Sequence, residues 1–196
     1  FHVGSQQTDH TQWGNAVELV AGLFRDLRSD GVNLRMINLG GGLPARYRDG
    51  VLPPKDYGAS IMASLREHFG PNDAAMPQLI TEPGRSIAGD AGVIQAEVVL
   101  IANKSDDDPT RWVYLDIGKF SGLAETMDES IKYRIVTPHC IPNDNNNNNN
   151  TRSVETGPVI LAGPTCDSAD IMYEKCQYHL PLNLRVGDKV LILSTG

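Results

Sequence analysis

The stretch Leu34-Arg35-Met36-Ile37-Asn38-Leu39-Gly40-Gly41-Gly42 joins a strand-length apolar run to three consecutive glycines. Such a run reads as a short strand that stops where the backbone must turn. Upstream, Ala16, Val17, Val20, Leu23, Phe24 and Leu27 recur at three- and four-residue spacing and draw one apolar stripe along a helix over 15–27. Asp30-Gly31 ends it, glycine being the usual residue just past a helix terminus. Downstream, Tyr57, Ile61, Leu65 and Phe69 mark a second helix closed by Gly70-Pro71. Gln78-Leu79-Ile80-Thr81 is then another short strand, ended by Glu82-Pro83-Gly84-Arg85. With a first strand ending at His2, the order is strand, helix, strand, helix, strand, the pattern of parallel βα units. The strand ends at His2, Gly40 and Glu82 stand roughly 40 residues apart, against roughly 31 per unit of an eight-fold (β/α) barrel, which leaves room for functional loops. On pattern alone a doubly wound sheet is the competing fold.

After Ala91 the texture changes. Val93 to Ile101, Arg111 to Asp116, Ile131 to Val136, Val159 to Ala162 and Lys189 to Leu193 are β-rich runs with no helical stripe of comparable length between them. They predict a mostly antiparallel β domain over 92–196, following a barrel-like α/β part over 1–91. Six identical residues, Asn145 to Asn150, cannot build a core. That tract reads as a disordered surface loop or as filler for undetermined sequence.

The chain has 196 residues, 17 Lys+Arg against 24 Asp+Glu, and a net charge of −7. That balance, with no clustered basic stripe, argues against nucleic acid as a partner. No window holds the roughly 18 consecutive apolar residues of a membrane span, and no basic start leads into an apolar leader core, which argues against a membrane or secreted protein. Cys140, Cys166 and Cys176 form an odd set with no Cys-x-x-Cys or Cys/His spacing, so they read as reduced thiols in a cytoplasmic protein, and no metal is expected.

The chemistry concentrates at the strand ends. Gly40, Gly41 and Gly42, at a strand end leading into a helix, expose backbone N–H groups suited to a phosphate. Arg85, on the next strand end, is a bidentate phosphate partner. Pro83 biases Glu82 towards an extended conformation, which keeps its carboxylate at the barrel mouth. A phosphate and a carboxylate one turn apart suit a phosphorylated, protonated heteroaromatic ring. His2-Val3-Gly4-Ser5 adds an imidazole to stack on such a ring and a hydroxyl for the phosphate.

His2-Val3-Gly4-Ser5, Gly40-Gly41-Gly42, Glu82-Pro83-Gly84-Arg85 and Gly163-Pro164-Thr165-Cys166-Asp167, in this order, resemble the pyridoxal-phosphate-dependent decarboxylases of the alanine-racemase-like fold. This is the fold-type III group, and ornithine decarboxylases are its most similar members. The resemblance implies the last βα units of a pyridoxal-phosphate-binding barrel followed by a β-barrel-like domain. It implies that His2 stacks on the cofactor ring, that Ser5, Gly40, Gly41, Gly42 and Arg85 hold the phosphate, and that Glu82 pairs with the pyridinium nitrogen. Cys166 resembles the cysteine that reaches into the neighbouring subunit's site and delivers a proton to the α-carbon. Asp167 resembles the carboxylate that receives the substrate's distal ammonium, and Asp128 matches a second such acid. A homodimer with shared sites follows.

An acidic pocket suits a plain diamino acid, because a buried unpaired ammonium is costly. L-ornithine, decarboxylated to putrescine for polyamine synthesis, is the first expectation, and lysine the second, since one methylene is worth only about 1–3 kcal/mol in a pocket. Diaminopimelate decarboxylases, which usually carry Glu at the position of Asp167, are the enzymatic alternative. An antizyme-inhibitor-like regulator is the non-catalytic one, and the Cys166-Asp167 pair speaks against an alanine racemase. None of Lys55, Lys104, Lys119, Lys132, Lys175 or Lys189 stands where the family's Schiff-base lysine belongs. The expectation is therefore a piece of a longer protein that needs an upstream lysine and a downstream tyrosine, inactive by itself.

Overall fold

The computed structural model describes residues 1–72, 76–137 and 154–196; Cys140 and the Asn145 to Asn150 tract lie outside them. The chain divides into two compact units, Phe1–Ala91 with Gly196, and Gly92–Thr195.

In the first unit, helix α1 spans Gln12–Ser29 and helix α2 Pro54–Phe69. Strands β1, Met36–Asn38, and β2, Gln78–Ile80, pair in parallel with Ile37 opposite Leu79. The ladder continues past both strand ends through Gln78 N to Arg35 O, Leu39 N to Ile80 O and Glu82 N to Gly40 O, each 2.8 Å. Helix α1 starts behind Asp9, whose carboxylate accepts from Thr11 N, Thr11 Oγ1 and Gln12 Nε2. The Gln12 and Thr11 donors hold that carboxyl down at about 2. At the other end Val32 N donates to Leu27 O and Gly31 N to Arg28 O, with Gly31 at φ 84°. This is the paired closure that a left-handed glycine permits. Pro54 in the first helical turn and Gly70, at φ 99° with its N–H donating to Arg66 O at 3.0 Å, bracket α2.

The core of this unit packs Trp13, Val17 and Phe24 of α1 and Tyr57, Ile61 and Leu65 of α2 against Ile37 and Leu39. Leu23, expected on the inner face of α1, is 52% exposed. One position off Phe24 is about 100° around a helix, so the buried stripe runs through Trp13, Val17, Ala21 and Phe24 instead. His2 is corrected as well: residues 1–4 form no regular strand, although Phe1 N reaches Asn38 O at 2.8 Å alongside β1.

The second unit is one six-stranded sheet in the order β5-β8-β3-β4-β6-β7. Its strands are β3 Val93–Asn103, β4 Arg111–Leu115, β5 Arg134–Val136, β6 Thr156–Ala162, β7 Ile171–Pro181 and β8 Lys189–Leu193. All neighbours are antiparallel except β4 and β6, which run parallel, with Trp112 opposite Ile160. Strand alternation buries Val190 and Ile192 from β8 and Val159 and Leu161 from β6.

Strand β7 is missing from the sequence reading because its alternation breaks. Val159 pairs with Tyr178 and Leu161 with Tyr173, so the single residue Ile160 faces the four residues 174–177 across a bulge. Tyrosines of β7 join that sheet edge to the segment just before β5. Tyr173 Oη donates to Ile131 O at 2.7 Å and accepts from Tyr133 N at 2.9 Å. Tyr178 Oη donates to Tyr133 O at 2.7 Å. The two rings stack with centroids 4.4 Å apart, and burial drives the Tyr173 phenol far above its ordinary value.

Candidate functional site

Of the ten candidate residues, seven lie in the first unit and three in the second. In the first, the glycine triplet is pressed between two backbones. A Cβ on Gly40 would overlap Phe1 O, one on Gly41 would lie 2.6 Å from Glu82 O, and one on Gly42 would overlap Gly4 O. Gly40 and Gly42 also stand at φ 68° and 95°, in the left-handed region where a side chain is strained. The triplet thus brings the His2 to Ser5 segment and the Glu82 segment together by letting the chain between them lie flush with both.

Polar side chains lock this arrangement. Asn38 accepts from Gly40 N at 2.9 Å and donates to Glu82 Oε1 at 2.6 Å. The amide of Gly40 is spent on that bond, while among the described residues those of Gly41 and Gly42 have no protein acceptor. Gln6, at φ 52°, donates through Nε2 to Ala45 O at 2.7 Å and accepts Ala45 N at 3.1 Å. Gln7 N donates to Gly42 O at 2.9 Å, and its Nε2 donates to Val3 O. His2, Ser5 and Glu82 are exposed, and Arg85, first residue of the short helix α3 (Arg85–Ala88), is half-buried with its guanidinium 5.9 Å from the Tyr47 ring centre. Two open amides, an exposed hydroxyl and a guanidinium match a phosphate, and a carboxylate oriented by Asn38 matches a protonated ring nitrogen; the residues fit pyridoxal phosphate.

In the second unit, Cys166 and Asp167 are exposed on the loop between β6 and β7. They line a pocket of about 260 Å³ together with Trp112, Tyr114, Thr165 and Ser168. One oxygen of Asp167 accepts from Ala169 N at 2.8 Å, which starts the turn over Ser168–Asp170. Asp128 is exposed at φ 54° on the kinked turn Ala124–Glu129 and is not on the wall of this pocket. Its neighbour Glu129, at φ 55°, turns its carboxylate onto the β7 bulge. It accepts from Glu174 N, Lys175 N and Cys176 N at 2.6–2.8 Å. Burial pushes the Glu129 carboxyl up, but these amides and the Lys175 charge outweigh it and hold it below its usual range. Cys166 carries an exposed free thiol, and Cys176 is half-buried. Among the described residues no group of His, Cys, Asp and Glu is arranged to hold a metal.

Sequence reasoning missed Asn38, Gln6, Gln7, Glu129 and Asp170. The first had a visible signal, a lone amide inside an apolar strand run two residues before the triplet. The others act through backbone groups that spacing does not reveal.

Comparison with known proteins bears on both units. Residues 1–89 match the family described as pyridoxal-dependent decarboxylase, pyridoxal binding domain. The whole chain aligns at 28% identity with a diaminopimelate decarboxylase from Methanocaldococcus jannaschii, covering 40% of it. It aligns at 26% with a lysine/ornithine decarboxylase from Selenomonas ruminantium, covering 44%. It superposes with a TM-score of 0.79 and 28% identity on the crystal structure of lysine/ornithine decarboxylase complexed with cadaverine from Vibrio vulnificus, covering all of this chain and 48% of that one. The chain thus spans about two fifths of the length of these curated relatives.

Proposed function

We propose that the protein, whose residues 1–89 match the pyridoxal-binding domain of pyridoxal-dependent decarboxylases, decarboxylates a basic amino acid using pyridoxal phosphate. The observation that carries this reading is the Asn38 bridge, which ties the glycine loop to the Glu82 carboxylate in one rigid piece. Gly41, Gly42, Ser5 and Arg85 would hold the phosphate, Glu82 the ring nitrogen, and His2 one ring face. Bound there, the cofactor supplies an electron sink for the pair left behind when CO₂ departs. Cys166 delivers a proton to the substrate α-carbon, and Asp167, through the carboxylate oxygen that Ala169 does not take, receives the distal ammonium. Asp128 is a second acid for that ammonium.

Ornithine is the preferred substrate and lysine the next, because the loop presents a carboxylate rather than a cation to the distal end of the substrate. Diaminopimelate is the second reading, favoured by the diaminopimelate decarboxylase among the relatives. The values of kcat/KM on ornithine, lysine and diaminopimelate decide it, and a preference for diaminopimelate overturns the first. Absence of turnover by the full-length protein on all three overturns the enzymatic reading itself.

The protein acts as a homodimer in which Cys166 and Asp167 serve the neighbouring site. Mixing Cys166→Ala subunits with Glu82→Ala subunits should restore up to about a quarter of activity, since random pairing leaves half the dimers with one intact site. No recovery would remove the shared-site proposal.

A further inference from the structure

Among the described residues Asp170 is the only carboxylate that is buried, with 2% of its surface exposed. Among the described residues no cation pairs with it; its Oδ1 accepts Lys119 N at 2.7 Å, and its Oδ2 accepts Thr165 Oγ1 at 2.9 Å and Thr165 N at 3.2 Å. Burying a charge without a counter-ion is costly, and here hydrogen-bond donors alone offset it. Room for it is built in: a Cβ on Gly118 or on Gly163 would overlap the carboxylate. The Asp170 backbone closes the same loop, its N–H donating to Asp167 O at 3.0 Å and its carbonyl accepting Gly163 N at 2.7 Å.

These bonds grip Thr165 and Asp167, the two residues that flank Cys166. Cys166 makes no bond to Asp170 itself, so its placement on an exposed loop is set from both sides by the buried carboxylate beneath. The Lys119 bond ties the same carboxylate to the loop after β4, so two loops share one anchor.

We propose that Asp170 is a positioning residue that holds Cys166 and Asp167 in place for the substrate, an inference that rests on the roles given to those two residues above. Its mechanism is direct: three donors converge on a carboxylate, whereas an asparagine would turn its own N–H₂ group towards at least one of them. Asp170→Asn breaks that convergence with almost no change in shape.

The test uses the full-length holoenzyme. In Asp170→Asn, amide hydrogen exchange at Lys119 and Thr165 should rise by at least about tenfold while β3 and β8 keep their protection. Turnover should fall by about a hundredfold, the size expected of a displaced reacting group, at unchanged affinity for pyridoxal phosphate. Unchanged exchange overturns the proposal, and so does raised exchange with unchanged kcat. Loss of cofactor affinity in step with kcat would also overturn it, because that marks a general structural role. If Asp170→Asn does not fold, Thr165→Val removes a single bond and should give the same signature at smaller size. Wild-type protein without decarboxylase activity would sink the functional reading alone, since the exchange measurement still reads the clamp.

Discussion

The loop at Gly40 to Gly42 and the loop at Gly163 to Asp170 carry the two halves of the candidate chemistry, yet the leading constraint on each differs. The first is held by absence: missing side chains let Phe1, Gly4 and the Glu82 backbone press against it. The second is held by addition: a buried carboxylate collects amides and a hydroxyl from two loops. Glu129 does the same for the β7 bulge. Steric contact does not titrate, whereas carboxylate anchoring depends on charge.

The contrast can be broken most forcefully at Gly42. Gly42→Ala should cost about 2–4 kcal/mol, combining left-handed strain with overpacking. The chain has two tryptophans, Trp13 in the first unit and Trp112 in the second, so urea denaturation followed through Trp13 in a Trp112→Phe background would read it. Tyr173→Phe should cost about 1–3 kcal/mol, because it strips the buried Tyr133 amide of its acceptor, and Trp112 fluorescence in a Trp13→Phe background reports it.

Glu129→Gln should cost about 1 kcal/mol at neutral pH and sharpens the comparison through its pH dependence. A folded carboxyl held below its ordinary value of 4.5 stabilises fully above that value and loses the contribution as pH falls through the lower folded one. Wild-type protein should therefore lose stability in that window and Glu129→Gln should lose less, whereas the penalty of Gly42→Ala should not change with pH. Equal slopes for wild type and Glu129→Gln would refute the carboxylate account. Leu23→Ser, on the exposed side of α1, should change stability by less than about 0.5 kcal/mol and sets the background for the rest.

The same division explains what the sequence reveals. Contacts made by absence leave a written mark: three glycines in a row, and glycines after helices, point to turns before any coordinate is known. The strand at Ile37 and the helix face through Tyr57, Ile61 and Leu65 are equally legible, because burial follows a fixed period. Contacts made by carboxylates are not legible. Asp170 sits among Ser168, Ala169 and Ile171 and looks like any polar turn residue, and Glu129 stands in an acidic stretch that reads as surface. Strand β7 was hidden for a related reason, since the bulge over 174–177 breaks the two-residue period and its amides turn to Glu129. The parallel pairing of β4 with β6 depends on which distant strands meet, which no local pattern encodes.

The tyrosine closure between β7 and the segment before β5 has a consequence for solution behaviour. The outer strands of a sheet present open amide and carbonyl groups that can template pairing with another chain. Here phenol groups from one margin occupy the carbonyls of Ile131 and Tyr133 and the amide of Tyr133 beside the other. The stitch makes the sheet a poor template for foreign strands at that margin, and its loss would first be seen as turbidity on concentration, before any change in secondary structure.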